Sequence, residues 1–183
     1  MAARCVRTTR CVADNVILVV PDGYDGDGEG ADVIVLGGPT RSASVRSGLA
    51  HVGDADIVVV HDAARPLATE QLFHAVVDAV RGGAAAAIPG LDVTDTVKQV
   101  RRGTTTSVVT TVPREDLVTV QTPQAFQRVA LVGAHARVGD ATDDAALLEH
   151  DSLCVVVPGE RTNIKITDRR DLELLAAYGA DGP

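Results

Sequence analysis

Aromatic residues are almost absent from this 183-residue sequence, which contains no Trp, two Tyr and two Phe. A hydrophobic core must therefore be built from Ala, Val, Leu and Ile, which suit packed layers of helices and strands. The chain is 45% hydrophobic, and a chain of this length buries roughly 70% of its unfolded surface on folding. We therefore predict a single globular domain over residues 1–183.

Cysteines are also few, and Cys5, Cys11 and Cys154 show no Cys-x-x-Cys spacing. An odd, unpatterned set argues against a disulfide framework and against a zinc site, so we expect a reducing, cytoplasmic environment. No apolar run approaches the ~20 residues of a membrane span, and the polar N-terminal segment lacks the apolar region of a signal peptide. The sequence predicts neither a membrane protein nor a secreted one.

Positive charge is in the minority, because 17 Lys and Arg residues are set against 25 Asp and Glu residues, a formal net charge of -8. Such a surface repels polyanions, and no basic stripe with interleaved aromatics offsets it. Nucleic acid is therefore not an expected partner. A phosphorylated small molecule needs only a few cations and backbone N–H groups, so it stays possible.

Segments typical of strands alternate with segments typical of helices, which predicts an α/β fold with a doubly wound, mostly parallel sheet. The predicted strands span residues 15–20, 32–36, 57–60, 84–88 and 153–157. The longer predicted helices span residues 42–49, 70–80, 125–137 and 168–178. Ser42 and Thr69 are the predicted N-caps of the first two, and Thr142 is predicted to open a short helix in TDDAALLEH.

Residues 93–113 interrupt this alternation with Thr and Val residues on both sides of the turn RRGTTTS. The pattern predicts a two-stranded antiparallel arm that projects from the sheet. An isolated hairpin is only marginally stable in water. We therefore expect the arm to pack against a second subunit and make the protein a homodimer.

The segment before residue 15 is the unusual part of the predicted fold. A doubly wound fold begins with a strand and a glycine-rich turn that binds phosphate, and a complete βαβ unit needs ~30 residues. Residues 1–15 read only as the end of the helix that follows such a turn. We expect the chain as given to lack a first, central strand, and its stability to be lowered by the exposed core and unpaired strand edges.

The strand at residues 57–60 ends in the charged segment HDAARP, residues 61–66. Ligands bind at the carboxyl ends of such strands, so a charged cluster there indicates a site. Asp62 could coordinate Mg²⁺, which takes one or two carboxylates from a protein, or it could cap a turn. Arg65 could bind a phosphate or pair with Asp62. His61 is interpreted as a structural residue, because no Ser or Cys nucleophile accompanies it.

Other segments offer groups suited to a nucleotide or a phosphate. In GGPTRSAS, the glycines leave room for a flat base near Gly38, and Ser44 lies near a helix start with free N–H groups. Lys165 lies between two isoleucines on a predicted short strand and points either to solvent or to a phosphate. Polar groups that could bind a ligand, but that turn chemistry explains equally well, belong to Thr96, Thr122 and Gln124.

Taken together, the motifs resemble those of one family, the 2-C-methyl-D-erythritol 4-phosphate cytidylyltransferases of non-mevalonate isoprenoid biosynthesis. The segments that carry the resemblance are GGPTRSASVRSGL, HDAARP, DVTDTVK, VPREDL, TPQAF, TDDAALLE and ERTNIKIT. In this order and at these separations they cover nearly everything from Val16 onward. The resemblance implies a Rossmann-like nucleotidyltransferase fold with a protruding β-arm that dimerises.

The resemblance also implies a reaction, in which the 4-phosphate of methylerythritol phosphate attacks the α-phosphorus of CTP, Mg²⁺ assists and pyrophosphate leaves. The residues that would contact the nucleotide are Gly38, Ser44 and Thr122. The residues that would bind methylerythritol phosphate are Asp62, Arg65, Thr96, Arg114 and Lys165. Asp62 would also lie beside the metal. Arg114 and Lys165 would be the catalytic residues, and Arg114 would reach the partner's site from the arm.

The sequence departs from the family pattern in two places. The family opens with a strand and a glycine-rich loop that carries an Arg and, shortly after, a Lys, and the sequence given shows no such segment before Asn15. Pro39 also removes one backbone N–H from the base-binding turn. An incomplete fragment, a decayed copy and a misassigned start codon all stay open as explanations. Two other functions stay open as well: transfer to another polyol phosphate such as ribitol 5-phosphate, and a catalytically silent dimer.

Overall fold

The computed structural model describes residues 1–137, 141 and 143–180. Its strands are β1 Ile17–Val20, β2 Val33–Leu36, β3 Ile57–Val60, β4 Ala86–Asp92, β5 Val97–Arg101, β6 Ser107–Val112, β7 Val118–Val120, β8 Gln124–Gln127 and β9 Cys154–Pro158. Its helices are α1 Ala2–Thr9, α2 Arg41–Leu49, α3 Glu70–Arg81, α4 Arg128–Arg137 and α5 Arg169–Ala180, with a 3₁₀ turn at Ala145–Leu147. The predicted alternation of strands and helices is present.

Five strands form the central sheet. β3 pairs antiparallel with β8, β8 pairs antiparallel with the start of β4, and β9 pairs parallel with the other edge of β4. β7 pairs antiparallel with the last residues of β4. The predicted strands β3, β4 and β9 therefore run in one direction, whereas β7 and β8 run against them. The central sheet is thus mixed, because only one of its four strand pairings among the described residues is parallel.

Helices cover both faces of the central sheet. On one face, Ala86 and Phe126 pack against Leu131 of α4, and on the other face Ala87 and Ala125 pack against α3. Neighbouring residues of a strand point to opposite faces, so the two helical layers together bury Ala86 and Ala87 of β4 and Ala125 and Phe126 of β8. The predicted apolar face of α3 is confirmed, since its buried residues are Leu72, Phe73, Val76, Val77 and Val80.

The predicted helix over residues 125–137 is wrong at its start, because residues 124–127 form β8 and α4 begins only at Arg128. Gln124, Ala125 and Phe126 are all buried, since β8 lies inside the sheet between β3 and β4. A strand buried on both faces lacks the alternating pattern that marks strands in a sequence. Its residues therefore merged with the pattern of the helix that follows.

β1 and β2 form a separate parallel pair, in register from Ile17 opposite Val33 to Val20 opposite Leu36. In the described ranges, β1 pairs only with β2, and β3 pairs only with β8. β1 and β3 therefore each have one unpaired edge. The expected absence of a first strand stays a prediction.

The N-cap of α2 differs from the prediction. Thr40 is the cap, because its backbone is extended and its hydroxyl accepts the N–H of Ala43 at 3.1 Å. Ser42 is instead buried in the first turn, where its hydroxyl donates to the carbonyl of Ala141 at 3.1 Å. Two hydroxyl residues stand two positions apart here, and tertiary packing decides which of them caps the helix. The other predicted cap, Thr69 of α3, accepts the N–H of Leu72 at 3.2 Å.

The predicted arm, residues 93–113, contains β5 and β6 as an antiparallel pair with an irregular register between Gln99 and Val100. Within the part of the chain that the structure describes, these two strands pair only with each other. Almost all their side chains are exposed, including Val108 at 63% and Val109 at 50%. The structure thus shows the predicted hairpin, and its role in dimerisation stays a prediction.

Lys165 does not lie on a strand but in an irregular segment after β9. The strand predicted at 84–88 extends instead from Ala86 to Asp92. The predicted helix cap Thr142 lies outside the described residues. No helix in the described ranges is both long and apolar enough to cross a membrane.

Candidate active site

Asp62 and Lys165 form an ion pair in which Lys165 Nζ lies 2.7 Å from Asp62 Oδ2. Asp62 lies in the loop after β3, and Lys165 lies in the segment after β9. The N–H of Ile166 donates to the carbonyl of Ala64 at 2.7 Å, which joins these two segments directly. Two predicted site residues, 103 positions apart, therefore meet at the carboxyl ends of strands that run in one direction.

A second cation reaches Asp62 from α2. Arg41 Nε lies 3.8 Å from Asp62 Oδ1, and Arg41 Nη1 lies 2.7 Å from Oδ2 of the buried Asp144. Burial by itself would raise the pKa of Asp62, but the hydrogen bond and charge of Lys165, with the charges of Arg41 and Arg65, outweigh it and hold that pKa below its ordinary value. Asp62 is therefore ionised at neutral pH and suited to binding a cation.

Arg65 is anchored to the segment that carries Lys165. Its Nη1 donates to the backbone carbonyl of Asn163 at 2.7 Å. Within the described ranges it forms no ion pair with Asp62, although its positive charge contributes to lowering the pKa of that carboxyl. A guanidinium has five N–H donors, so Arg65 keeps donors for an anion beside Asp62 and Lys165.

Gly38 and Ser44 line a cleft of about 580 Å³ beside the ends of β1 and β2. The N–H of Gly38 donates to Ser44 Oγ at 3.2 Å. A Cβ at position 38 would lie 2.4 Å from the Cβ of Ala43, so the close approach of this turn to α2 requires glycine. The cleft is lined by residues 19–22, 37–39 and 44. Two of the three predicted nucleotide-binding residues therefore lie together.

Thr122, the third of these residues, is 5% exposed and does not line that cleft. Its hydroxyl accepts the N–H of Asp62 at 3.0 Å and lies 3.2 Å from His61 Nδ1. Thr122 therefore lies directly behind the backbone of Asp62 and supports the loop at 61–66.

Thr96 and Arg114 lie at the base of the arm. Thr96 is exposed, and Arg114 Nη1 donates to the carbonyl of Thr94. Among the described residues, neither forms a hydrogen bond or an ion pair with Asp62 or Lys165. A second cleft of about 600 Å³ lies here, between the arm base and the ends of β4, β7 and β9. The structure does not bring these two predicted residues to the Asp62 site of their own chain.

Sequence reasoning missed the polar residues that support the site from behind. The side-chain amide of Gln121 accepts the N–H of Glu160 at 3.0 Å and donates to its carbonyl at 2.8 Å. Asn163 Nδ2 donates to the carbonyl of Thr122 at 2.9 Å. Both amides are buried, and both flank predicted site residues. That proximity was the available signal, but a buried amide and a solvated loop amide look the same in a sequence.

The residues of this site supply only some of the ligands that a metal ion needs. The described residues contain no group of three or more His, Cys, Asp and Glu side chains that could bind a metal. Mg²⁺ usually takes one or two carboxylates and completes its shell with phosphate oxygens and water. The ionised Asp62 therefore fits a Mg²⁺ ion held mainly by the phosphates of a nucleotide.

Comparison with known proteins decides the family. The model of the family described as IspD, 2-C-methyl-D-erythritol 4-phosphate cytidylyltransferase, matches residues 7–179. The chain belongs to this family. A protein of Streptomyces coelicolor with the same description is 44% identical over an alignment of 193 positions, gaps included, which covers 96% of this chain and 72% of that protein.

The IspD family also contains larger members. The bifunctional enzyme IspD/IspF of Clavibacter michiganensis is 49% identical over 156 residues, covering 84% of this chain and 38% of the enzyme. The chain therefore spans well under half of this relative and about three quarters of the Streptomyces protein.

A solved IspD structure confirms the predicted fold class. The crystal structure of 2-C-methyl-D-erythritol 4-phosphate cytidylyltransferase from Thermus thermophilus superposes with a TM-score of 0.85 at 36% identity, covering 97% of this chain and 87% of that one. The predicted Rossmann-like nucleotidyltransferase class and the predicted family are both correct. Neither alternative, ribitol 5-phosphate transfer or a silent dimer, is favoured by these matches.

Proposed function

We propose that this IspD-family chain transfers the cytidylyl group of CTP to 2-C-methyl-D-erythritol 4-phosphate, with release of pyrophosphate, in non-mevalonate isoprenoid biosynthesis. One observation carries the proposal beyond family membership: three separate motifs meet around Asp62. HDAARP supplies Asp62 and Arg65, ERTNIKIT supplies Lys165, and TPQAF supplies the Thr122 hydroxyl that holds the Asp62 amide.

The chemistry of this transfer suits the groups present. A phosphate monoester is already a nucleophile, so its oxygen forms a bond to the α-phosphorus of CTP while the bond to the bridging oxygen of the β-phosphate breaks. No activated Ser or Cys is needed, and catalysis consists of positioning and charge neutralisation. Lys165 and Arg65 would hold the attacking phosphate, which otherwise repels the triphosphate. The cleft at Gly38 and Ser44 would hold the base.

Magnesium fits the proposal through Asp62. When bound, Mg²⁺ would supply charge neutralisation at the phosphoryl group that is transferred. Asp62 would hold it, while Arg41 and Lys165 keep the carboxyl ionised. Lys165, which pairs with Asp62 at 2.7 Å in the free chain, would then also bind the substrate phosphate.

Pyrophosphate release from CTP, with Mg²⁺ and methylerythritol phosphate, tests the proposal. We expect Lys165→Ala to lower kcat/KM by roughly 100-fold or more, because a charge that acts in the transition state is lost. Arg81→Ala is the matched control, since this cation lies exposed on α3 and pairs with Asp78. Absence of release, or equal rates with ribitol 5-phosphate, would overturn the proposal.

A homodimer joined through the arm belongs to the same proposal. Thr96 and Arg114 are predicted to bind substrate, yet they lie at the arm base without bonding the Asp62 site of their own chain. The arm also exposes Val108 and Val109 to solvent. An arm that docks on a second copy would bury these residues and bring Arg114 to the partner's Asp62 and Lys165.

Mixing two inactive variants tests this arrangement. In a dimer of Arg114→Ala with Lys165→Ala, one of the two sites keeps both intact residues, so an equimolar mixture should regain about a quarter of the wild-type activity by random pairing. In sedimentation experiments, Val108→Asp with Val109→Asp should weaken the dimer at least tenfold, whereas Val129→Asp, on exposed α4, should not. A wild-type monomer at micromolar concentration would refute the dimer.

We further propose that residues 1–183 act as one domain in a reducing, cytoplasmic environment. The free thiols of Cys5, Cys11 and Cys154 support that environment. The arm begins after β4 and ends before β7, two strands of the same sheet, which supports a single domain.

A further inference from the structure

Four hydrogen bonds close the loop of Asp62 into a ring that the proposed reaction does not explain. His61 Nε2 lies 3.1 Å from the carbonyl of Arg65, and His61 Nδ1 lies 3.2 Å from Thr122 Oγ1. Asn163 Nδ2 donates to the carbonyl of Thr122 at 2.9 Å, and Arg65 Nη1 donates to the carbonyl of Asn163 at 2.7 Å. The chain of contacts thus returns to the residue from which it started.

The protons of this ring can be assigned from chemistry. A carbonyl oxygen only accepts, so His61 Nε2 must carry a proton and donate to Arg65. A neutral imidazole that is protonated at Nε2 has a lone pair on Nδ1 and accepts there. The Thr122 hydroxyl therefore donates to Nδ1 and uses a lone pair to accept the Asp62 N–H at 3.0 Å. In each of these hydrogen bonds a donor therefore meets an acceptor.

The ring is buried at Thr122 and Asn163 and half-buried at His61 and Arg65, so its bonds are costly to break. Asn163 is 0% exposed and Thr122 is buried as well. The His61 ring packs against Phe73, with ring centroids 5.0 Å apart and planes tilted by 59°. A buried polar group that loses its partner carries the full cost of its lost hydration. The ring therefore favours one arrangement of the three segments that it joins.

We infer that His61 and Asn163 are positioning residues that act through Thr122 and Arg65 to hold Asp62 and the Arg65 guanidinium in place before substrate binds. The inference rests on the proposed function of this site. His61 fixes both ends of the loop, because it bonds Arg65 directly and the Asp62 amide through Thr122. Asn163 joins that loop to the segment of Lys165. A site held in this way loses rate when its supporting bonds are removed, even though the supporting residues touch no substrate.

Kinetics of His61 variants test the positioning role. His61→Phe removes both bonds and keeps an apolar ring against Phe73, and we expect a loss in kcat/KM of roughly 10- to 100-fold, as for other supporting residues. KM for methylerythritol phosphate should rise, because the backbone carbonyl of Arg65 loses its hydrogen bond to His61, while KM for CTP stays within about twofold. His61→Asn and His61→Gln each keep one bond and should fall between wild type and His61→Phe.

His74→Phe is the matched control, since the same exchange is made at an exposed position of α3. It should leave both KM values unchanged. Equal loss of affinity for both substrates in His61→Phe, or no loss at all, would overturn the positioning role. The single-bond variants His61→Asn and His61→Gln decide the question where His61→Phe does not fold.

Nuclear magnetic resonance tests the ring without any activity measurement. The ¹⁵N signals of His61 should show a protonated Nε2 and an unprotonated Nδ1 at neutral pH. The Asp62 amide should exchange at least about tenfold faster in Thr122→Val than in wild type, with protection restored in Thr122→Ser. The opposite tautomer, or unchanged exchange in Thr122→Val, would overturn the ring. A confirmed ring in a chain that releases no pyrophosphate would instead contradict the proposed function.

Discussion

Two antiparallel strand pairs of this chain, β3–β8 and β5–β6, have opposite surroundings. In the first, Phe126 of β8 is fully buried between β3, β4 and α4, while in the second Val108 and Val109 face solvent. The buried pair also carries the site, because Asp62 follows β3 and Thr122 precedes β8. The core of the chain therefore stabilises the site, whereas the strands of the arm pair only with each other in the described residues.

The largest effect on stability is expected in the buried pair, β3–β8. Phe126→Ala removes a fully buried ring from the contact between the sheet and α4, and such substitutions lower the free energy of unfolding by about 4 kcal/mol. Urea denaturation measures it. Val129→Ala, at a residue of α4 that is 75% exposed, is the control and should change little. A loss below about 1 kcal/mol for Phe126→Ala would show that the central sheet is not packed as described.

The stability of the folded chain should also depend on pH through His61, which follows β3. The pKa of His61 is about 4 in the folded chain, because of burial, and about 6.5 when unfolded. Between these values the unfolded state binds more protons than the folded state. The contribution of His61 to the free energy of unfolding is therefore fully present above pH 6.5, and about 3 kcal/mol is lost as the pH falls toward 4.

His61→Phe should remove this part of the pH dependence, so that the stability difference between wild type and variant shrinks as the pH falls. Chemical denaturation at several pH values measures it. His74→Phe should keep the wild-type pH dependence. A constant difference between wild type and His61→Phe from pH 7 to pH 4 would contradict a buried, neutral His61.

The smallest effect is expected on the arm. Val108→Ala should change the free energy of unfolding by no more than about 0.5 kcal/mol when it is measured at a concentration at which the chain is monomeric. The substitution removes methyl groups that are exposed to solvent, so few contacts are lost. The same substitution should matter more at concentrations that favour the proposed dimer. An effect on the monomer as large as that of Phe126→Ala would erase the contrast between the two pairs.

The sequence predicts an element well when that element buries only one of its sides. α3 was predicted with its Thr69 cap and its apolar face because a helix with one buried side shows a regular period. β8 was missed because burial on both faces leaves no period to read. Asp62 and Lys165 were placed in one site only through the family resemblance, and the structure shows their contact at 2.7 Å.

The supporting bonds of the site could not be predicted in the same way. The ring of His61, Thr122, Asn163 and Arg65 depends on backbone carbonyls at three of its four bonds. Backbone groups are the same in every residue, so a sequence does not indicate which of them meet. The contacts of His61 agree with its interpretation as a structural residue, but only the folded structure shows which groups it bonds.

Arg41 links the chemistry of the site to a buried carboxylate behind it. One guanidinium is shared between Asp62 at the surface of the site and Asp144 within the core, where His135 Nε2 lies 3.0 Å from the other oxygen of Asp144. Removing the negative charge of Asp144 would leave Asp62 as the one carboxylate that pairs with Arg41 among the described residues. The site would then become more positive at unchanged shape, so a remote substitution could weaken cation binding while strengthening the capture of phosphates.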